Sequence, residues 1–217
     1  PEDAEKQINM AVEFHEQRFG AKPKGMWPSE GSVAECIIPL VSKAGIKWIA
    51  TDEGILQRSL YKFDLQGRTL SADEIYQPYI AEKDGNSVAM IFRSHFISDQ
   101  VGFVYSRWRS DEAVADFAMH MGNIRASLPE NHRNYLASVI LDGENAWEYY
   151  PGGAKDFFEK LYSWLSNNSI VRTVKVSEYL EANPPEKRLG RLFPGSWIDN
   201  NYKIWIGHNE DNIAWDY

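Results

Sequence analysis

What most limits the folds open to this chain is the repeated alternation of short apolar β-type runs with longer helical spans. "IKWIAT" at 46–51, "VAMIFR" at 88–93, "LASVIL" at 136–141 and "IVRTVK" at 170–175 are compact runs of the kind that form buried strands. Helical patterns occupy about 110–126 and 154–167 between them. Residues 3–19 carry Ile8, Ala11, Val12, Phe14 and Phe19 at mainly helical spacing, with Gly20 as a C-terminal stop, which predicts an amphipathic helix. A short apolar stretch at 25–27 follows. Ser32-Val33-Ala34-Glu35 then reads as a capping box that opens a helix through about Ala44, ended by Gly45. Buried strands alternating with helices predict an α/β architecture with a mostly parallel sheet, open or closed into a barrel. Residues 60–87 read as an inserted scaffold segment, and Asp84-Gly85 as its hairpin turn.

Charge and composition narrow the partners. At 217 residues and 43% hydrophobic, the chain is long enough for one sizeable core or for part of a larger one. A formal net charge of -8, with no Lys/Arg run to reverse it locally, repels phosphate backbones and argues against nucleic acid. A single cysteine, Cys36, rules out an intrachain disulfide, so no oxidising compartment is required. No apolar run approaches the roughly 18 residues of a membrane span, and the N-terminus is charged rather than signal-like. The expectation is a soluble chain, cytoplasmic or secreted, without a membrane partner. Eight tryptophans and eleven tyrosines against ten phenylalanines suit a half-wet surface, because both rings carry a polar edge on an apolar body. Sugar rings, with an apolar face and a hydroxyl rim, match such a surface. Large aromatics also fill cores, so only those clustered near carboxylates bear on function.

Two carboxylates stand in such settings. "GMWPSEGSVAE" at 25–35 puts Glu30 one Ser after a Trp-Pro pair, just beyond a short strand. "VILDGENAWEYYPGG" at 139–153 puts Asp142 directly after an apolar run, with Glu144, Trp147, Tyr149 and Tyr150 following. Parallel α/β folds collect their reactive groups at the carboxyl ends of strands, so Glu30 and Asp142 could converge on one cleft. A plain Asp-Gly turn is the competing reading of 142–143. His95 and Asp99 lie four apart, one helical turn, a spacing that also fits two metal ligands. No third ligand accompanies them at a recognisable spacing, so no metal and no other cofactor is expected.

"GMWPSEGSV", "FRSHFISDQVGFVYS" at 92–106, "ILDGENAWEYYPGG" and "GSWIDNNYKIWIGHNEDNIAW" at 195–215 together resemble glycoside hydrolase family 57, in its α-amylase and amylopullulanase-like branch. Four separated motifs in order cover most of the chain. The resemblance implies part of a (β/α)7 barrel and a retaining mechanism on an α-glucan or maltooligosaccharide, at α-1,4 bonds with α-1,6 bonds left open. It implies Glu30 as nucleophile and Asp142 as general acid/base. One carboxylate must attack the anomeric carbon while the other protonates the leaving oxygen, so they must start in opposite protonation states. Their carboxyls are then expected about 5 to 5.5 Å apart. Trp27, His95, Asp99, Glu144, Trp147, Trp197, Trp205 and His208 are the expected sugar contacts, with Asp99 either holding the His95 ring or bonding a sugar hydroxyl. Trp48 and Trp164, on strand and helix patterns, are expected in the core.

Departures from the resembled pattern matter too. Position 94 is Ser where many relatives carry Asp. The early barrel strands, one bearing a His-Gln-Pro motif, and a C-terminal helical region are not found. Residues 1–217 are therefore expected to be a partial catalytic domain, completed by a missing segment or a second chain that covers the open sheet edges. A 4-α-glucanotransferase or branching-type transglycosylase is the alternative activity, and a non-catalytic α-glucan-binding module the alternative class.

Overall fold

The computed structural model describes residues 2–61, 68–130, 134–143 and 147–215. Helix α1 (Glu2–Phe19) begins with three acidic residues in its first turn, which complement the helix dipole. It ends at Gly20, in the left-handed conformation at φ 73°. Of its apolar positions Val12 is buried, whereas Phe14 and Phe19 are exposed, so the buried stripe is narrower than the pattern suggests. Strand β1 (Gly25–Met26) leads into a single 3-10 turn at Ser29–Gly31. The expected capping box at Ser32 is not formed. Val33 instead pairs antiparallel with Gly195, and the helical path starts as a 3-10 turn at Glu35–Ile37 before α2 (Ile38–Lys43). Glu35 turns away from the capping role to accept the Leu192 N–H and to meet Lys83 at 3.3 Å.

Strand β2 (Trp48–Asp52) runs directly into α3 (Glu53–Tyr61), and the short α4 (Ala72–Ile75) carries a true capping box between Ser71 and Glu74. Strands β3 (Tyr79–Lys83) and β4 (Asn86–Arg93) form the hairpin expected at Asp84-Gly85, both turn residues taking positive φ, at 49° and 74°. Helix α5 (His95–Asp99) continues through a π turn and a 3-10 turn toward α6 (Ser110–Ser127). Helices α7 (Lys155–Asn167) and α8 (Val176–Ala182), strand β5 (Lys187–Arg188) and α9 (Asn209–Trp215) complete the described elements.

Among the described residues the sheet has the order β1-β2-β4-β3-β5, with every neighbour pair parallel except the β3–β4 hairpin. This is the mixed, mostly parallel α/β class. Two of the four expected strands differ from expectation. Residues 136–141 run beside the end of β4 and pair there only through the parallel bridge Arg93–Ser138. Residues 170–175 form no strand. The Asn168 carboxamide captures the backbone N–H groups of Ile170 and Val171, both at 2.8 Å, and the following residues run exposed into α8. β-propensity yields a strand only where a sheet edge is present to receive it.

The core has two parts. Val33, Ile38, Val41, Ile49, Ile55, Leu56, Tyr79 and Met90 lie in the cluster between the sheet and helices α1 to α3. A second cluster around Ile97, Val101, Phe117, Phe157 and Leu161 joins α5, α6 and α7. Trp164 packs into this second cluster, 5.8 Å from Phe117 in an edge-on contact. Trp48 is half-buried, and its indole N–H donates to the Ser177 hydroxyl at 3.1 Å. Among the described residues no helix is long and apolar enough to cross a membrane.

Candidate active site

Glu30 sits in the middle of the 3-10 turn after β1, with φ 55° and ψ 27°. A non-glycine residue in this left-handed region carries a steric cost of about 1 kcal/mol, and such residues gather at functional sites. Gly31 follows at φ 56°, and a Cβ there would lie 2.7 Å from the Trp27 ring, so the turn leaves no room for a side chain. The turn is fixed from two sides. The buried Thr51 hydroxyl, on β2, donates to the Gly31 carbonyl at 2.6 Å. Trp197 donates twice to Glu30, from its backbone N–H to the carbonyl at 3.1 Å and from its indole N–H to Oε2 at 2.8 Å. The Val33–Gly195 bridge brings Trp197 there, and Trp27 meets Trp197 edge-on with centroids 5.9 Å apart.

Behind this pair lies a cluster of charges at the ends of β2 and β4. Asp52 and Arg93, each with a side chain only 1% exposed, meet at 3.1 Å between Oδ2 and Nη1. The Asp52 Oδ1 atom accepts the Gly54 N–H at 3.0 Å. Arg93 also donates to the Ile140 carbonyl, at 2.9 Å from Nε, and to Asp99 through Nη2. The guanidinium Cζ lies over the Trp197 ring, 4.9 Å from its centroid, a cation–π contact. Desolvating these charges is costly, and full pairing of their donors and acceptors is what makes their burial tolerable.

His95, the first residue of α5, is gripped on both sides of its ring. Nδ1 lies 3.0 Å from Asp52 Oδ2, and Nε2 lies 3.0 Å from Asp99 Oδ2. Nδ1 is hydrogen-bonded to Asp52, whereas Asp99 acts on Nε2 as a nearby charge, and both carboxylates favour the protonated ring. Consistently, the hydrogen bond to Asp52 leads the causes that raise the His95 pKa above its ordinary value, against an opposing contribution from burial. The backbone N–H of His95 donates to Glu53 Oε2 at 3.0 Å. Burial is the main reason the Glu53 carboxyl titrates above the usual carboxylate range, although that N–H works in the other direction.

The structure thus brings Trp27, Glu30, His95, Asp99 and Trp197 into one contact network. Asp142 is half-buried, two residues beyond Ile140, whose carbonyl is held by Arg93. Trp147 instead packs into the second core cluster, 4.4 Å from Phe158 and 5.5 Å from Tyr150. His208 is largely exposed, and its ring meets the Asp211 carboxylate at 3.1 Å at the start of α9. Trp205 is half-buried in the turn before α9, its backbone N–H bonded to the Tyr202 carbonyl. Glu144 lies outside the described residues. Among the described residues no group of three or more His, Cys, Asp or Glu side chains is arranged to hold a metal ion. A groove of about 550 Å³ between residues 172–175 and α8 contains none of the motif residues.

Asp52, Glu53 and Arg93 are absent from the sequence-derived candidates. The signal was present in each case. Asp52 and Glu53 follow "IKWIAT" as Asp142 follows "LASVIL", and Arg93 places a charge at the last position of a buried strand.

Comparison with known proteins concerns the family and the fold. The model of the family described as Glycosyl hydrolase family 57 matches residues 1–191. An alpha-amylase of Pyrococcus abyssi is 24% identical over 193 residues, covering 85% of this chain and 26% of its own length. The chain therefore spans about a quarter of that curated relative. Among solved structures, a 4-alpha-glucanotransferase from Thermococcus litoralis superposes with a TM-score of 0.68 at 20% identity, over 91% of this chain and 28% of its own. A branching enzyme from Pyrococcus horikoshii gives 0.70 at 17% identity, over 98% and 47%. At these identities the likeness concerns the fold, and the present chain accounts for part of those (β/α)7-barrel enzymes.

Proposed function

Because this chain belongs to glycosyl hydrolase family 57, we propose that it carries the catalytic pair of a retaining enzyme that acts on α-glucans. Glu30 is the nucleophile and Asp142 the general acid/base, with α-1,4 bonds as the first target and α-1,6 bonds as the second. The observation that supports this most is Glu30 itself. It occupies a left-handed turn that glycine would fill at lower cost, and its carboxylate is held by the Trp197 indole at 2.8 Å. Such strain is useful where a carboxylate must be aimed at one atom.

In the first half-reaction Glu30 attacks the anomeric carbon while Asp142 gives its proton to the leaving oxygen. In the second, Asp142 takes a proton from water, which displaces Glu30 and restores both groups. The first half-reaction needs Asp142 to start with its proton and Glu30 to start without one. His95 is held between Asp52 and Asp99, which favour its protonated form beside the site. Trp27 offers an aromatic edge to the sugar.

Transglycosylation is the second reading. The solved enzymes of similar fold include one named a 4-alpha-glucanotransferase and one named a branching enzyme, and the same glycosyl-enzyme serves both outcomes. The protein incubated with maltoheptaose separates them. Shorter products alone indicate hydrolysis, and longer chains beside shorter ones indicate transfer. Glu30→Gln is expected to abolish the glycosyl-enzyme, and azide is expected to rescue Glu30→Ala with inversion of the anomeric centre. Near-normal turnover by Glu30→Gln would refute the assignment.

A further inference from the structure

We propose that Arg93 is a positioning residue for Glu30 that acts through Trp197. This inference rests on the reading of Glu30 as nucleophile and concerns how its carboxylate is aimed. The Arg93 side chain is 1% exposed, so it does not meet a substrate directly. Each of its three nitrogens has a partner, Nη1 on Asp52, Nη2 on Asp99 and Nε on the Ile140 carbonyl. Those three partners come from the end of β2, from α5 and from the segment leading to Asp142. A planar cation held this way cannot rotate, and the surface it offers is its flat face.

The Arg93 Cζ lies over the Trp197 ring, 4.9 Å from its centroid, and Trp27 closes the ring edge-on at 89°. The indole is thereby fixed in plane and in rotation, and its N–H points at Glu30 Oε2 at 2.8 Å. A cation on the face of an aromatic ring draws electron density from it and makes the ring N–H a stronger donor. Engaging Oε2 directs the other carboxylate oxygen to the anomeric carbon. Trp197 is then a support for the nucleophile rather than a platform for sugar, and the two roles differ kinetically. Loss of a platform weakens binding of ground state and transition state alike, which raises KM. Loss of aim misplaces the reacting oxygen, which lowers kcat.

A double-mutant cycle on the intact protein tests this, with Glu30→Gln as reference and maltoheptaose as substrate. Trp197→Phe retains a ring on Arg93 but removes the N–H. It is expected to lower kcat by about tenfold to a hundredfold with KM within about twofold of wild type. Arg93→Met is expected to lower kcat by about tenfold, and the double variant to fall no further than Trp197→Phe alone, since both act along one path. Should Arg93→Met fail to fold because Asp52 is left without its cation, Arg93→Lys serves in the same cycle: it retains the charge and loses the flat face. A rise in KM at unchanged kcat for Trp197→Phe overturns the proposal and leaves the nucleophile reading intact. So does a double variant whose losses multiply. Turnover by Glu30→Gln overturns the nucleophile reading itself.

Discussion

Glu53 and His95 both titrate above their ordinary values, for opposite physical reasons. Glu53 is raised chiefly because burial disfavours its charged form, whereas His95 is raised first by its hydrogen bond to Asp52. The sign of the stability effect is nevertheless shared. A group whose pKa is higher folded than unfolded contributes stability that is fully present below the unfolded pKa and lost as pH rises through the folded one. For Glu53 the loss begins above about 4.5, and for His95 above about 6.5. Glu53→Gln keeps an acceptor for the His95 N–H without the buried charge. It is expected to raise the melting temperature at pH 7 and to leave it unchanged at pH 4, read by thermal scans at both values. His95→Gln removes the imidazolium between Asp52 and Asp99, and is expected to lower stability at pH 6 more than at pH 8.5. The effect is modest, because the His95 side chain is 51% exposed and solvent screens its charge. An equal loss at both values would mean that His95 is not the titrating group.

The elements readable from the sequence are those whose signal is local. α1, α6 and α7 follow from helical spacing, and the β3–β4 hairpin follows from Asp84-Gly85, because a turn residue at positive φ carries its own instruction. Residues 170–175 mislead because the neighbouring Asn168 side chain takes the Ile170 and Val171 N–H groups, and the Ser32 capping box misleads because Val33 pairs with the distant Gly195. The site divides in the same way. Glu30, His95 and Asp99 stand out within motifs, whereas Arg93 and Asp52 carry a positional signal at strand ends whose meaning, a buried ion pair, emerges once β2 and β4 are side by side. The β1–β2 register, which sets Gly25 opposite Trp48, places an element-scale constraint on β1. A Cβ at Gly25 would lie 1.9 Å from the Trp48 ring, and Trp48 is tied to Ser177. Gly25→Ala is expected to cost about 1 to 3 kcal/mol as β1 is pushed off β2, measured as a shift of the urea midpoint at constant m-value. An unchanged midpoint would show that the Trp48 ring can swing aside freely.

Across the whole molecule, the two core clusters meet where the chain leaves β4 for α5, and that crossing carries Arg93, His95 and Asp99. Stability of the helical cluster and geometry of the site are thus joined at one strand end. Phe157, 1% exposed at the centre of the second cluster, tests the connection: Phe157→Ala is expected to cost about 3 to 5 kcal/mol in chemical denaturation. A loss under about 1 kcal/mol would mean that α6 and α7 pack independently of it. The left-handed turn at Glu30 has a consequence of a different kind. Glycine relieves the backbone at φ 55°, so Glu30→Gly removes the carboxylate while easing the chain. A glutamate codon is one base from a glycine codon. On the proposed role of Glu30, an inactive variant with a relaxed backbone is a single mutational step away, opposed within the fold by loss of the Trp197 hydrogen bond.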